Sequence, residues 1–204
     1  MAIALKAEYR SQNSGFRMDK AETRIHRFCV RYLAHGPHQG SNDLSATEAN
    51  HILQGGLALM AVQHVRQPGW LPTQALGTSD GQFAAQHATE IGFPPGVNVW
   101  CDLEGVGNTT AQNVISYSNA WYDAVKAAGF VPGIYVGAAI IITGQQLYAL
   151  KFQHYWKSLS NVPPIPVRGY QMIQTAGGTV HGISIDNDMT QTDAKGGQAQ
   201  WLSL

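Results

Sequence analysis

Asp102 and Glu104 are the residues whose types and spacing point most directly to chemistry in this chain. They close the run Val97-Asn98-Val99-Trp100-Cys101-Asp102-Leu103-Glu104, which reads as a short buried strand. Side chains two apart on a strand leave the same face, so both carboxylates emerge together. Gly105 and Gly107 then turn the chain away. Two carboxylates at a strand's C-terminal end fit acid/base work on a glycosidic bond. One is protonated at the leaving oxygen, and the other puts negative charge beside the developing oxocarbenium ion. The plainer alternative is a strand that ends in solvent with ordinary surface acids.

Such a strand needs neighbours, and the chain supplies them in alternation with helices. Residues 27–33 read as a strand. Residues 45–53 follow as a helix, with Ser45 as N-cap, Glu48 at the capping-box spacing and Gly55-Gly56 as its end. Residues 57–65 are continuously apolar, as in a strand buried on both faces. Residues 79–91 read as a helix, 97–103 as the strand that carries the acids, and 110–128 as the longest helix. In that helix Val114, Tyr117, Trp121, Ala124, Val125 and Ala128 follow the 3.6-residue period. Strands at 131–136, 154–157, 169–174 and 182–186 follow, with a short helix at 145–151. This alternation predicts an α/β fold with a parallel sheet. With residues 15–19 as a first strand the count reaches about eight. That fits a compact, single-domain (β/α) TIM-like barrel in which some outer helices are short or missing. The 204 residues, 44% of them hydrophobic, suffice for one core and one domain over 1–204. Residues 1–14 are an N-terminal segment, and the polar, Gly-rich 190–204 is a tail that closes against the barrel end.

In a parallel barrel the strand C-termini gather at one face, where sites form. The strand ends here carry Asp19, Tyr32, His64, Asp102, Glu104, Tyr135, Gln174 and Asp186. No Ser-His-Asp arrangement in a nucleophile elbow, HExxH, paired CxxC, Walker loop or GxGxxG accompanies them. The reading calls for no cofactor and no metal; His35 and His38 are scattered loop histidines without a ligand cluster. Lys plus Arg and Asp plus Glu number 13 each, and no basic stripe marks a nucleic-acid partner. Cys29 and Cys101 sit in apolar runs and read as buried free thiols. Residues 1–15 lack the apolar core of a Sec signal, and 137–143 is too short to span a bilayer. Synthesis in the cytoplasm, then release or delivery by another system, is the expected route. Trp70 can stack on sugar or pack its own loop. Arg31 can contact substrate but is expected to pair with an interior acid, and Asp188 and Asp193 can join a site but are expected to cap turns or face solvent.

These motifs, in this order, resemble glycoside hydrolase family 25, the Chalaropsis-type lysozymes, and most of all the glycoside-hydrolase-like domain related to it. Val99-Trp100-Cys101-Asp102-Leu103-Glu104 resembles the family's Asp-x-Glu strand. The run from Ile173-Gln174 through Val180-His181-Gly182-Ile183 to Asp186 resembles its final segment. Arg31-Tyr32-Leu33, Leu44-Ser45-Ala46-Thr47-Glu48-Ala49 and Gly56-Leu57-Ala58-Leu59 resemble the related domain, and the likeness covers roughly residues 15–188. It implies a β/α barrel with a sugar groove. Glu104 would be general acid and Asp102 its partner, charge-stabilising or orienting a substrate acetamido group. Asp186 and Asp19 would be further acids, and Tyr135 would line the groove with Tyr32, His64 and Gln174. Two departures stand out: Gly15-Phe16-Arg17-Met18-Asp19 carries an extra Arg17, and Ile173 replaces a Trp, which predicts the loss of an aromatic sugar platform.

The expected activity is hydrolysis of peptidoglycan or a related N-acetylated polysaccharide, as in an endolysin of bacteriophage origin, by a monomer that inserts in no membrane. The alternatives are a carbohydrate-binding barrel without turnover and a structural part of a phage or secretion assembly.

Overall fold

The computed structural model describes residues 2–7, 26–180 and 182–204, the first stretch by its backbone alone. They form one α/β domain around a curled, mixed sheet. The strands are β1 (Ala2–Ala7), β2 (His26–Leu33), β3 (Ala58–Gln63), β4 (Asn98–Leu103), β5 (Val131–Val136), β6 (His154–Lys157), β7 (Met172–Val180) and β8 (Ile183–Thr190). They hydrogen-bond in chain order, and β1 also pairs with β8. Strands β1 to β7 run parallel, whereas β8 is antiparallel to both its neighbours. The all-parallel barrel expected from sequence is corrected here. A tight turn at Gly182 (φ 80°) folds β8 straight back on β7, leaving no room for a crossover helix. The slot beside β2 is filled by Ala2–Ala7, within the supposed N-terminal segment; the expected strand 15–19 lies outside the described residues.

Four helices lie among the described residues: α1 (Ala46–Gln54), α2 (Gln74–Ile91), α3 (Ala111–Ala127) and the single-turn α4 (Gly144–Tyr148). Each starts at a hydroxyl that accepts a backbone N–H of the first turn, from Ser45, Thr73, Thr110 and Thr143. Helix α2 begins five residues before the expected Ser79 and runs through both Gly77 and Gly81. In the fold they are contact points: a Cβ on Gly77 would lie 2.2 Å from the Tyr117 carbonyl oxygen, and one on Gly81 2.7 Å from that of Trp121. Helices α2 and α3 therefore touch backbone to backbone. The helical penalty of about 1 kcal/mol per glycine is offset by that approach.

Strand residues alternate between two apolar clusters. Outward-facing Cys29, Leu33, Leu59, Ala61, Val99, Cys101, Leu103, Ile134, Val136 and Tyr155 meet the helices. Inward-facing Phe28, Val30, Met60, Val62, Trp100, Trp156 and Met172 fill the concave side. Both cysteines are free and buried. Burial pushes the Cys29 thiol up to about 12 and the Cys101 thiol well above its ordinary value, so both stay protonated at neutral pH.

The tail closes the end where the parallel strands start. Leu202 bridges to Leu59, Asn98 and Gln200 exchange hydrogen bonds, and Trp201 stacks on Phe28 at 5.4 Å. In parallel barrels sites form at the opposite end, where those strands finish.

His154 opens β6, with its pKa lowered to about 4, first by burial and then by Arg168. The unfolded chain, with His near 6.5, takes up this proton first as pH falls. Stability from this residue is thus complete above pH 6.5 and lost between 6.5 and 4, by up to about 3 kcal/mol. His154→Gln is expected to flatten that acid limb in urea titrations from pH 7 to 4.5. An unchanged limb would refute the assignment.

Candidate active site

The C-terminal end of β4 sets the centre. Trp100 and Asp102 point inward by strand alternation, and Asp102 is 4% exposed. Glu104, one step past the strand and on the same side, is half-buried. Its carboxyl group makes no hydrogen bond among the described residues. It lies over Gly137, where a Cβ would come 2.5 Å from Glu104 Oε2 and 2.3 Å from Glu104 Cβ. Strand β5 is in register, with Asp102 opposite Tyr135 and the Gly137 N–H donating to the Leu103 carbonyl at 2.9 Å.

From Tyr135 a hydrogen-bonded chain crosses the concave face to the last strand. The Tyr135 hydroxyl donates to Gln174 Oε1 at 2.9 Å, and the Leu159 N–H donates to the same oxygen at 3.0 Å. Gln174 Nε2 donates to Asp186 Oδ2 at 2.7 Å. Two donors on the oxygen fix which way the amide faces. Tyr135 also stands edge-on to Trp156, with ring centroids 4.7 Å apart. On the other side the Tyr32 ring is stacked on His64 at 3.9 Å and 2°, and His64 Nε2 is 3.1 Å from Asp43 Oδ1.

Seven of the eight residues singled out from sequence are described. Asp102, Tyr135, Gln174 and Asp186 share the concave face, with Glu104 at its mouth and the Tyr32–His64 stack at the ends of β2 and β3. Asp19 lies outside the described residues.

Several expectations for other residues change. Asp188 caps no turn; it is fully buried on β8 and accepts from Trp156 Nε1 at 2.7 Å. Ending the last strand at Asp186 hid this, whereas the two-residue period from Asp186 would have placed it. Asp193 does cap a turn, accepting from the Lys195 and Gly197 N–H groups, and also pairs with Arg168. Arg31 faces outward, against expectation, and holds Glu48 of α1 at 2.6 Å. That engagement explains why the predicted capping box is only half made: Ser45 accepts from the Glu48 N–H, while the Glu48 carboxylate goes to Arg31. Ile173 packs with the outer cluster. An aromatic ring there would face away from the concave side, so its replacement removes no platform from that side.

The arrangement can do a limited set of things. A half-buried carboxyl at the mouth can give or take a proton at a ligand atom. The buried carboxylate two residues earlier can hold an N–H or steady positive charge. The phenol, imidazole and rings around them suit a polar ring-shaped ligand.

Residues 20–193 match the model of the Rv2525c-like, glycoside hydrolase-like domain. No curated protein matches the chain in sequence. Among solved structures, the chain is similar to the Tat-secreted protein Rv2525c of Mycobacterium tuberculosis in complex with HEPES. There the TM-score is 0.68 at 12% identity, with 98% of each chain covered. It is similar to the catalytic domain of endolysin ply40 from bacteriophage P40 of Listeria monocytogenes, with TM-score 0.62, 16% identity and 94% of each chain covered. It is also similar to the modular autolysin LytC of Streptococcus pneumoniae in complex with a synthetic peptidoglycan ligand. That match has TM-score 0.61 and 11% identity, and covers 92% of this chain and 46% of LytC. At such identities the likeness is one of fold.

Proposed function

Because this chain belongs to the Rv2525c-like, glycoside hydrolase-like domain family, we propose that it hydrolyses a glycosidic bond in peptidoglycan or a related N-acetylated polysaccharide. The observation that carries this reading is the division of labour at the end of β4. Glu104 is half-buried and its carboxyl group makes no hydrogen bond among the described residues, and Asp102 is buried one pleat below. A general acid must reach the leaving oxygen, whereas an orienting carboxylate works best fixed and shielded. In this reading Glu104 gives its proton to the glycosidic oxygen as the bond to the anomeric carbon breaks. The substrate's own acetamido oxygen forms the new bond to that carbon, while Asp102 holds the acetamido N–H. Water then opens the cyclic intermediate and returns a proton to Glu104, a substrate-assisted route. Asp186, held by Gln174, adds negative charge across the groove, and Tyr32, His64 and Tyr135 line it.

The fold is read as a TIM-like barrel that has lost outer helices and taken an antiparallel final strand. The likeness to a catalytic endolysin domain and to an autolysin seen with a peptidoglycan ligand supports the substrate class. Among the described residues no helix is long and apolar enough to cross a membrane. Delivery to the wall by a separate system remains part of the proposal.

The test is digestion of purified cell walls followed by mass analysis of the products. New reducing ends on N-acetylated sugars are expected. Wall binding without new ends would instead favour a carbohydrate-binding domain.

A further inference from the structure

We propose that Trp70 is a positioning residue that aims Glu104. The inference rests on Glu104 being the general acid. Trp70 lies in the β3–α2 loop, 34 residues before Glu104, and its indole Nε1 donates to the Glu104 main-chain carbonyl at 2.8 Å.

That bond is one of a set that laces two loops together. The Gly69 N–H donates to the Gly105 carbonyl at 2.7 Å, and the Gly107 N–H donates to the Trp70 carbonyl at 2.8 Å. Trp70 and Val106 form a parallel bridge. The lacing is close: a Cβ on Gly107 would lie 2.3 Å from the Gly69 carbonyl oxygen. On its other side the Glu104 loop is tied to the loop after β5, because the Gly105 N–H donates to the Ala138 carbonyl at 2.9 Å. The Glu104 peptide is thus gripped from two neighbouring loops, and its side chain rests on Gly137.

Trp70 is itself fixed. It is 9% exposed and stands edge-on to Tyr117 at 4.8 Å. The Tyr117 hydroxyl donates to Asp80 Oδ2 at 3.1 Å, and Asp80 is paired with Arg66 through both guanidinium nitrogens, Nη2 at 2.6 Å and Nε at 3.1 Å. A continuous path of ring contact and hydrogen bonds therefore runs from the α2–α3 layer to the acid. Loops otherwise move more than the strands they join. A proton donor that drifts by about 1 Å can lose roughly a hundredfold in rate. The grip removes that freedom for Glu104, which lies one step beyond its strand.

Trp70→Phe keeps a ring against Tyr117 and removes only the N–H donor. The expected result is a kcat on purified cell walls lowered about ten- to a hundredfold at unchanged KM, with unchanged thermal melting. Gly137→Ala, which pushes a methyl group at the Glu104 carboxyl from the other loop, is expected to reproduce that split. Trp201→Phe, at the far end of the sheet, serves as control with wild-type rate. Amide hydrogen exchange gives a readout that needs no turnover. The Gly105 and Gly107 N–H groups are expected to be protected in the wild type and to exchange faster in Trp70→Phe. If wild type cleaves nothing while the exchange pattern holds, the glycosidase reading falls and the grip on Glu104 stands. If exchange at Gly105 and Gly107 is unaffected, or a cleaving Trp70→Phe keeps wild-type kcat, the positioning role is overturned.

Discussion

Glu104→Gln is expected to leave a folded protein that no longer lyses cell walls. The substitution keeps the shape of the side chain and its contact with Gly137 but removes the transferable proton. General acid catalysis is worth about a hundred- to ten-thousandfold, so residual lysis should fall at least a hundredfold. Folding should be spared. The Glu104 side chain is half-buried at a strand end and its carboxyl accepts no hydrogen bond among the described residues, whereas its main chain makes the bond to Trp70. Stability should stay within about 0.5 kcal/mol of wild type. Wall turbidity under one set of conditions, with a pull-down on the same walls, checks both parts. Retained binding with lost lysis separates chemistry from recognition. Lysis at the wild-type rate would remove Glu104 from the mechanism.

The second large effect lies outside the groove. Glu48→Ala is expected to destabilise the fold by about 3 kcal/mol, because it strips the carboxylate from a buried guanidinium. Arg31 is 1% exposed, with Nε 2.6 Å and Nη2 3.2 Å from the Glu48 carboxylate and a further bond from Nη2 to the Asn42 carbonyl. Burial works against the Arg31 charge, and the hydrogen bonds and charge of Glu48 more than offset it, leaving its pKa above the ordinary value. With Glu48 gone, arginine cannot escape by losing its proton. Arg31→Met with Glu48→Leu should cost less than Glu48→Ala alone, since apolar side chains of similar volume replace a buried ion pair at little cost. Urea unfolding of wild type, Glu48→Ala and the Arg31→Met/Glu48→Leu double variant measures it. A Glu48→Ala protein within 0.5 kcal/mol of wild type would show the pair to be dispensable. The pair also has a reach toward the site. It ties α1 to the outer face of β2, and its bond to Asn42 holds the loop in which Asp43 meets His64.

The two residues, Glu104 and Glu48, show how differently a candidate site and a fold are written in the chain. The Asp102–Glu104 pairing follows from the two-residue period of a strand, which is local and visible in any window. The helix over 111–127 followed equally well from its 3.6-residue apolar stripe, which the structure buries as Val114, Tyr117, Trp121 and Val125. Glu48 fitted a local rule too, the capping box, yet its carboxylate turned to Arg31, seventeen residues earlier and on another element. A local motif states which bonds a side chain can make; competition with distant partners selects among them. Gly77, left outside the helix expected over 79–91, belongs to it for a related reason. In sequence a glycine is a breaker, and only the backbone of α3 beside it shows why it belongs in a helix.

From sequence, then, came the α/β class, the alternation of elements, most strand positions and the set of polar residues at their ends, because each depends on neighbours within a few residues. The use of Ala2–Ala7 as a sheet strand, the partner of Asp188, the pairing of Glu48 with Arg31 and the hold of Trp70 on Glu104 came from the assembled fold. Each depends on contacts between residues well separated in the chain, and a carbonyl or a carboxylate carries no mark of which distant donor will reach it until the chain has closed around it.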